Sequence, residues 1–151
     1  MTRGEPFVGD TQLLAELETE IGLLLRRIRR VLQERARLVH PDLQPGGYSM
    51  LVHLGQHGPS RAADLCETFA VDKGAVSRQV QQLLDLGLLE RTKDPTDGRA
   101  SLLSLTEKAR TALADVVAVR RQRLSTLLGE WSHDELRDFV AGLTRYNEML
   151  G

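Results

Sequence analysis

Residues 60–105 read SRAADLCETFAVDKGAVSRQVQQLLDLGLLERTKDPTDGRASLLSL, and the change of periodicity inside this stretch decides the fold. Ser60 opens it as a helix cap, ahead of a short helix carrying Ala62, Ala63, Leu65, Cys66 and Phe69. The turn Ala70–Val71–Asp72 follows, with Asp72 placed to cap the next helix. That helix spans Lys73 to about Leu86 and stops at Gly87, the residue type most at ease in the left-handed conformation just past a helix end. From Leu88 the period shortens. Leu88–Lys93 and Ala100–Leu105 are extended segments. Between them Asp94–Pro95–Thr96–Asp97–Gly98–Arg99 carries Asp-Gly, a hairpin signal, and a proline that keeps helix out.

Upstream, Pro41, Pro45, Gly46 and Gly47 form a break, and Ser49 to about His57 reads as a short helix with Met50, Leu51 and Leu54 on one face, ended by Gly58–Pro59. Further back, Asp10 or Thr11 caps a helix running to about Val39. In it Leu14, Leu17, Ile21, Leu24, Ile28 and Val31 recur at alternating spacings of three and four, a heptad seam. Leu13, Leu25, Leu32 and Leu38 widen the apolar stripe. At ~1.5 Å per residue the helix is roughly 45 Å long, longer than a small domain is wide, so part of it needs cover from outside its own subunit. Residues 1–9, with Gly4, Pro6 and Gly9, read as a loose arm. Downstream, Thr106 caps a long helix from Glu107 to about Leu128, broken by Gly129. Ser132-x-x-Glu135 is a capping box opening a last helix with Leu136, Phe139, Val140, Leu143 and Leu150.

The pattern is therefore mainly α: an arm at 1–9, a dimerisation helix at 10–40, a winged helix-turn-helix at 46–105 (three short helices and a two-stranded β wing), and dimerisation helices at 106–151. In that motif the helix after the turn fits the DNA major groove, about 12 Å wide. With 20 Lys+Arg against 21 Asp+Glu in 151 residues, bulk charge offers no pull toward nucleic acid, so the case rests on local chemistry. On the helix at 73–86, Val76, Val80 and Leu83 share an inward face. Gly74, Arg78 and Gln81 point the other way, with Ser77 and Gln82 on the flanks. Lys73 and Arg78 make that helix locally basic, with no acid before Asp85. Arg pairs with guanine, Gln with adenine, and Ser or Lys with phosphate; small Gly74 lets the helix end approach the backbone. A solvated amphipathic helix would look the same on its own. The hairpin breaks the tie: Arg91, Lys93 and Arg99 cluster there, with Asp97 two residues from Arg99 and able to hold its guanidinium extended for the minor groove.

Asp97-Gly98-Arg99 followed by Leu105-Thr106 resembles the D-x-R…L-T wing signature of MarR-family transcriptional regulators. Val71–Val80, Leu83 and Leu86–Arg91 resemble that family's recognition helix and its exit into the wing, and Leu54–Gly58 its "LxxHG" run. The resemblance covers roughly residues 10–150. It implies a homodimer in which helices from both chain ends interlock, binding double-stranded DNA at a pseudo-palindromic operator, most often as a repressor and often of its own promoter. By position it assigns major-groove contacts to Lys73, Ser77, Arg78 and Gln81 and the minor-groove contact to Arg99 with Asp97. Ser60, Gly74, Gln82, Arg91 and Lys93 complete the expected DNA-binding set. Where the family often has hydroxyl residues this chain has Gly74 and Ala75. The resemblance also leaves room for a small-molecule effector, acting by changing the distance between the two recognition helices.

Other chemistry is thin. His53 and His57 form an i, i+4 pair able to hold a metal on one helix face, but no acid or Cys follows at ligand spacing, so no metal or cofactor is expected. Cys66, the single cysteine, rules out an internal disulfide and reads as a small core residue rather than a redox sensor. The Arg run at 26, 27, 29, 30, 35 and 37 reads as a solvated face. No GxSxG, P-loop or HExxH is present, and Asp94 with Asp97 on an exposed wing tip would exclude no water, so the chain is not read as an enzyme. No apolar run approaches a membrane span, which leads to the expectation of a soluble cytoplasmic protein. A winged helix serving as a protein-docking module remains the alternative to DNA binding.

Overall fold

A computed structural model describes residues 9–150; the arm expected at 1–9 lies, apart from Gly9, outside them. Six helices and one hairpin follow in the order α1 (Thr11–Val39), α2 (Pro45–His57), α3 (Ala62–Phe69), α4 (Lys73–Asp85), β1 (Leu89–Lys93), β2 (Ser101–Leu105), α5 (Glu107–Leu127) and α6 (His133–Met149). The chain divides into two compact units, one through Leu113 and one from Ala114.

In the first unit α1 packs on α2, α3 on α4, and α2 on both α4 and β2. Leu43, Met50, Leu51, Leu65, Val76, Val80, Leu83, Leu88 and Leu103 fill the space between them and are almost wholly removed from water. Truncating any of these leucines to alanine would cost about 2–5 kcal/mol, since neighbours on three helices and a strand cannot all close the gap. Only the last turns of α1 join this core, through Ala36. Its N-cap is Asp10, whose Oδ1 accepts from the Gln12 and Leu13 N–H groups at 3.0 and 3.1 Å. Along the rest of the helix Leu13, Leu14, Leu17, Leu24, Leu25 and Ile28 face solvent, so most of the heptad seam has no cover within its own unit.

Two boundaries differ from the sequence reading. The Pro45–Gly47 stretch is the first turn of α2, not a break before it. Proline's fixed φ and missing N–H suit a first helical position. A Cβ on Gly47 would stand 2.8 Å from Leu43 Cδ1, and one on Gly46 would overlap the Gln79 amide of α4, so the two glycines leave room for both side chains. Ser60 is not the cap of α3; Arg61 is. Ser60 instead exchanges two backbone hydrogen bonds with Leu103, at 3.1 and 2.9 Å, laying a one-residue third strand along the free edge of β2.

The end of α4 is a Schellman motif. Leu88 N–H reaches the Leu83 carbonyl at 2.9 Å and Gly87 N–H the Leu84 carbonyl at 3.0 Å, with Gly87 at φ +67° between them. β1 begins two residues later and pairs antiparallel with β2 in the register Leu89↔Leu105, Arg91↔Leu103, Lys93↔Ser101. The register puts Leu89, Leu103 and Leu105 into the core.

In the second unit α6 opens with the expected capping box: Glu135 N–H donates to Ser132 Oγ at 3.2 Å and Ser132 N–H to Glu135 Oε2 at 2.7 Å. The helix buries no residue, and Phe139, Val140, Leu143, Met149 and Leu150 are exposed. Trp131 meets Phe139 edge-on with ring centres 5.5 Å apart.

Gly87 and Gly98 separate backbone strain from crowding, because a Cβ at either would meet nothing within 4 Å, yet only Gly87 has positive φ. Gly87→Ala should lower stability by about 1–2 kcal/mol in urea denaturation, whereas Gly98→Ala should leave it unchanged or slightly raised.

Candidate nucleic-acid interface

The turn between α3 and α4 is three residues long, Ala70–Asp72. Ala70 itself is left-handed (φ 49°), which lets Ala70 and Val71 N–H groups return to the Glu67 and Cys66 carbonyls at 3.2 and 3.3 Å. Asp72 then caps α4, its Oδ1 accepting from Ala75 N–H at 2.9 Å. With Val76, Val80 and Leu83 buried, the helix cannot rotate, and the opposite face is fixed outward.

On that face Lys73, Gly74, Ser77, Arg78 and Gln81 are all exposed. The Arg78 guanidinium folds back over the first turn, with its NH1 3.5 Å from where a Gly74 Cβ would stand. Gln81 Nε2 donates to Asp85 Oδ1 at 2.8 Å. Gln82 sits differently from the rest: half-buried, it donates its amide to the Asp42 carbonyl at 3.1 Å and ties α4 to the loop behind it.

The wing projects Arg91, Lys93, Asp97 and Arg99, all exposed. Arg91 NH1 reaches Ser101 Oγ across the hairpin at 3.4 Å. The expected Asp97–Arg99 side-chain pair does not form. Asp97 acts on the backbone instead, its Oδ1 accepting from Arg99 N–H at 3.1 Å and its carbonyl from Ala100 N–H at 2.9 Å. This closes a turn in which Gly98 needs no positive φ. A carboxylate two residues before an N–H it can reach forms such a turn at little ordering cost, and the Arg99 guanidinium is left free of it. Ser60 lies at the wing's edge, its hydroxyl donating to the Gly58 carbonyl at 3.2 Å.

Asp94 is not on an exposed tip. It is 6% exposed, and among the described residues it is the one charged side chain in the core. Its Oδ1 accepts from the Thr96 N–H at 2.8 Å and the Thr96 hydroxyl at 2.7 Å, and its Oδ2 from Arg61 Nε at 2.8 Å and from the same guanidinium's NH2. Donors from Thr96 first, and then from Arg61, hold its carboxyl from the usual 3.8 down to about 2. Sequence reading missed this pair. An Asp two residues before a Thr signals a local turn, but nothing in sequence announces a partner 33 positions upstream.

The remaining candidates are modest. His53 and His57 stack face to face with ring centres 4.2 Å apart, and Phe69 meets His53 edge-on at 5.6 Å. The His57 Nδ1–H donates to the His53 carbonyl at 3.0 Å. Among the described residues no group of three His, Cys, Asp or Glu could hold a metal ion. Cys66 is half-buried rather than a core residue, because α3 turns only Leu65 fully inward. Nor, among those residues, is any helix long and apolar enough to cross a membrane.

Two helices joined by a tight turn, an outward polar face on the second and a basic hairpin directly after it define a winged helix-turn-helix of the DNA-binding kind. The MarR family model matches residues 42–100. The chain is 33% identical over 134 residues to the HTH-type transcriptional regulator YxaD of Bacillus subtilis, covering 89% of this chain and 92% of that one. It is 27% identical over 124 residues to the HTH-type transcriptional repressor NicR of Pseudomonas putida, covering 80% and 77%. A MarR family protein from Bacillus stearothermophilus has the same fold, with a TM-score of 0.77 at 22% identity over 95% of this chain and 99% of that one. The chain belongs to the MarR family of winged-helix, DNA-binding transcriptional regulators.

The lowered acidity of Asp94 sets a pH window. A carboxylate whose folded pKa is depressed contributes stability above its unfolded value, and that contribution disappears as pH falls through the folded one. The Asp94 contribution should therefore be complete above about pH 5 and be lost between roughly pH 4 and pH 2. In denaturant melts across that range, Asp94→Asn should start less stable at neutral pH and fall less steeply on acidification.

Proposed function

We propose that this protein is a transcriptional repressor working in the cytoplasm, which binds a pseudo-palindromic operator as a homodimer through α4 in the major groove and the wing in the minor groove. The observation that carries this is the pairing of two outward basic elements, Lys73 and Arg78 on α4 and Arg91, Lys93 and Arg99 on the wing, on one unit whose core fixes both. Dimerisation is supported by the leucines of α1 and the apolar residues of α6, an area of exposed aliphatic surface that water tolerates poorly. Two half-sites about one helical turn apart then present consecutive major grooves to the paired α4 helices. Repression is supported by the relative named as a repressor and by simple occlusion: a protein seated across a promoter blocks polymerase. Binding needs both recognition helices in register at once. A small effector that alters their spacing therefore weakens operator affinity by the difference in its own affinity for the two spacings.

Arg78 is the base reader, Lys73 and Ser77 the phosphate contacts and Arg99 the minor-groove probe. Gln81 adds a major-groove contact, while Gln82 supports the helix from behind.

Gel shifts over a salt series, on duplexes selected by the wild-type protein from a random-sequence library, test the reading. Specific affinity should fall steeply with salt, and Arg78→Ala and Arg99→Ala should each weaken it about tenfold or more. Lys73→Ala should weaken all duplexes alike and reduce the salt slope by about one. A stable monomer in sedimentation, or unchanged affinity in both arginine variants, would sink it; a winged helix that docks proteins would select no duplex at all.

A further inference from the structure

The Asp94 carboxylate bridges two parts of the winged unit. Oδ2 faces Arg61, the residue that caps α3, and Oδ1 faces Thr96 within the wing loop, while the Asp94 N–H closes the loop base on the Ala100 carbonyl at 3.1 Å. Arg61 is itself fixed, its N–H donating to Asp64 Oδ2 at 3.2 Å in the first turn of α3. Its neighbour Ser60 is paired to β2. The wing is thereby tied to the start of α3 through two adjacent residues, by backbone from Ser60 to mid-β2 and by charge from Arg61 to the base of the loop.

An ion pair such as this, with Asp94 buried but Arg61 41% exposed, adds little net stability. What it does well is select one geometry, because the charges tolerate no slippage. A two-stranded hairpin is marginal alone, and the loop at 95–99 is exposed throughout. Without a tie at the base of this loop, Arg99 would explore many orientations and lose that freedom on meeting a duplex.

We propose that Arg61 and Asp94 are positioning residues for DNA binding: the pair locks the wing to α3 so that Arg99 meets the duplex in one preset orientation. Neither residue needs to touch DNA. The inference rests on the reading of Arg99 as a duplex contact, and the test separates the two.

Affinity for a duplex selected by the wild-type protein is measured for Asp94→Asn, Arg61→Ala and Arg99→Ala, and for each of the first two combined with the third. Thermal unfolding accompanies each variant to confirm a folded chain. Asp94→Asn and Arg61→Ala should each weaken binding about tenfold in the wild-type background and produce no further loss when Arg99 is already alanine. Arg61→Lys, which keeps the charge, should recover part of the loss. Equal losses with and without Arg99 would mean the pair acts through the general fold, and the proposal fails. No loss in the wild-type background, while Arg99→Ala still weakens binding, overturns the latch alone. Unchanged affinity in Arg99→Ala overturns the wing contact and the latch together. Should Asp94→Asn fail to fold, Arg61→Ala, which leaves Thr96 to hold the carboxylate, carries the same comparison.

Discussion

Removal of one side of α4 from water is the constraint on which the winged unit depends. Val76, Val80 and Leu83 lie on the helix that packs against α2, α3 and β1, each burial stabilising the fold by about 1.5–3 kcal/mol. Because the three lie at i, i+4 and i+7, their burial also sets the rotation of the helix. The polar residues need no interaction of their own to point outward. Lys73, Ser77 and Arg78 are aimed by the valines and leucine beneath them.

Local signals in the sequence carried most of this architecture. The spacing of Val76, Val80 and Leu83, the cap at Asp72, the stop at Gly87 and the box at Ser132–Glu135 all act within one or two turns of chain, and each appears where its chemistry placed it. The misreadings have a common cause. Pro45–Gly47 carries loop residues, yet a proline is at home in a first helical turn and a glycine can make room for a side chain from another helix, here Gln79 of α4 beside Gly46. Ser60 is a good cap by type but was claimed by a strand 43 residues later in the chain. Arg61 and Asp94 belong to one interaction that only the folded chain brings together. In each case the deciding partner is distant in sequence, and composition within a window cannot report it. Of the interface, residue types and outward faces were legible; what holds those residues in place was not.

The two ends of the chain follow a different logic. α1 and α6 obey every local rule for helices, with a heptad seam in one and a reciprocal cap in the other, yet their apolar stripes meet solvent in a single chain. Local rules are enough to form such a helix, but they do not supply cover for its stripe. The winged unit has its own core, whereas α1 and α6 each carry an apolar stripe left exposed in the single chain.

The joint at Gly87 has a consequence for how such a chain can diverge. The helix ends, reverses and becomes a strand within three residues, and both Leu83 and Leu88 are locked beneath the joint. Adding or deleting one residue there would turn the whole hairpin inside out, because alternate side chains of a strand face opposite ways. The loop between the strands carries no such penalty. Insertions and deletions in descendants of this sequence should accumulate at the tip and spare the elbow, so the length of the wing can be retuned while the angle between α4 and the hairpin is inherited unchanged.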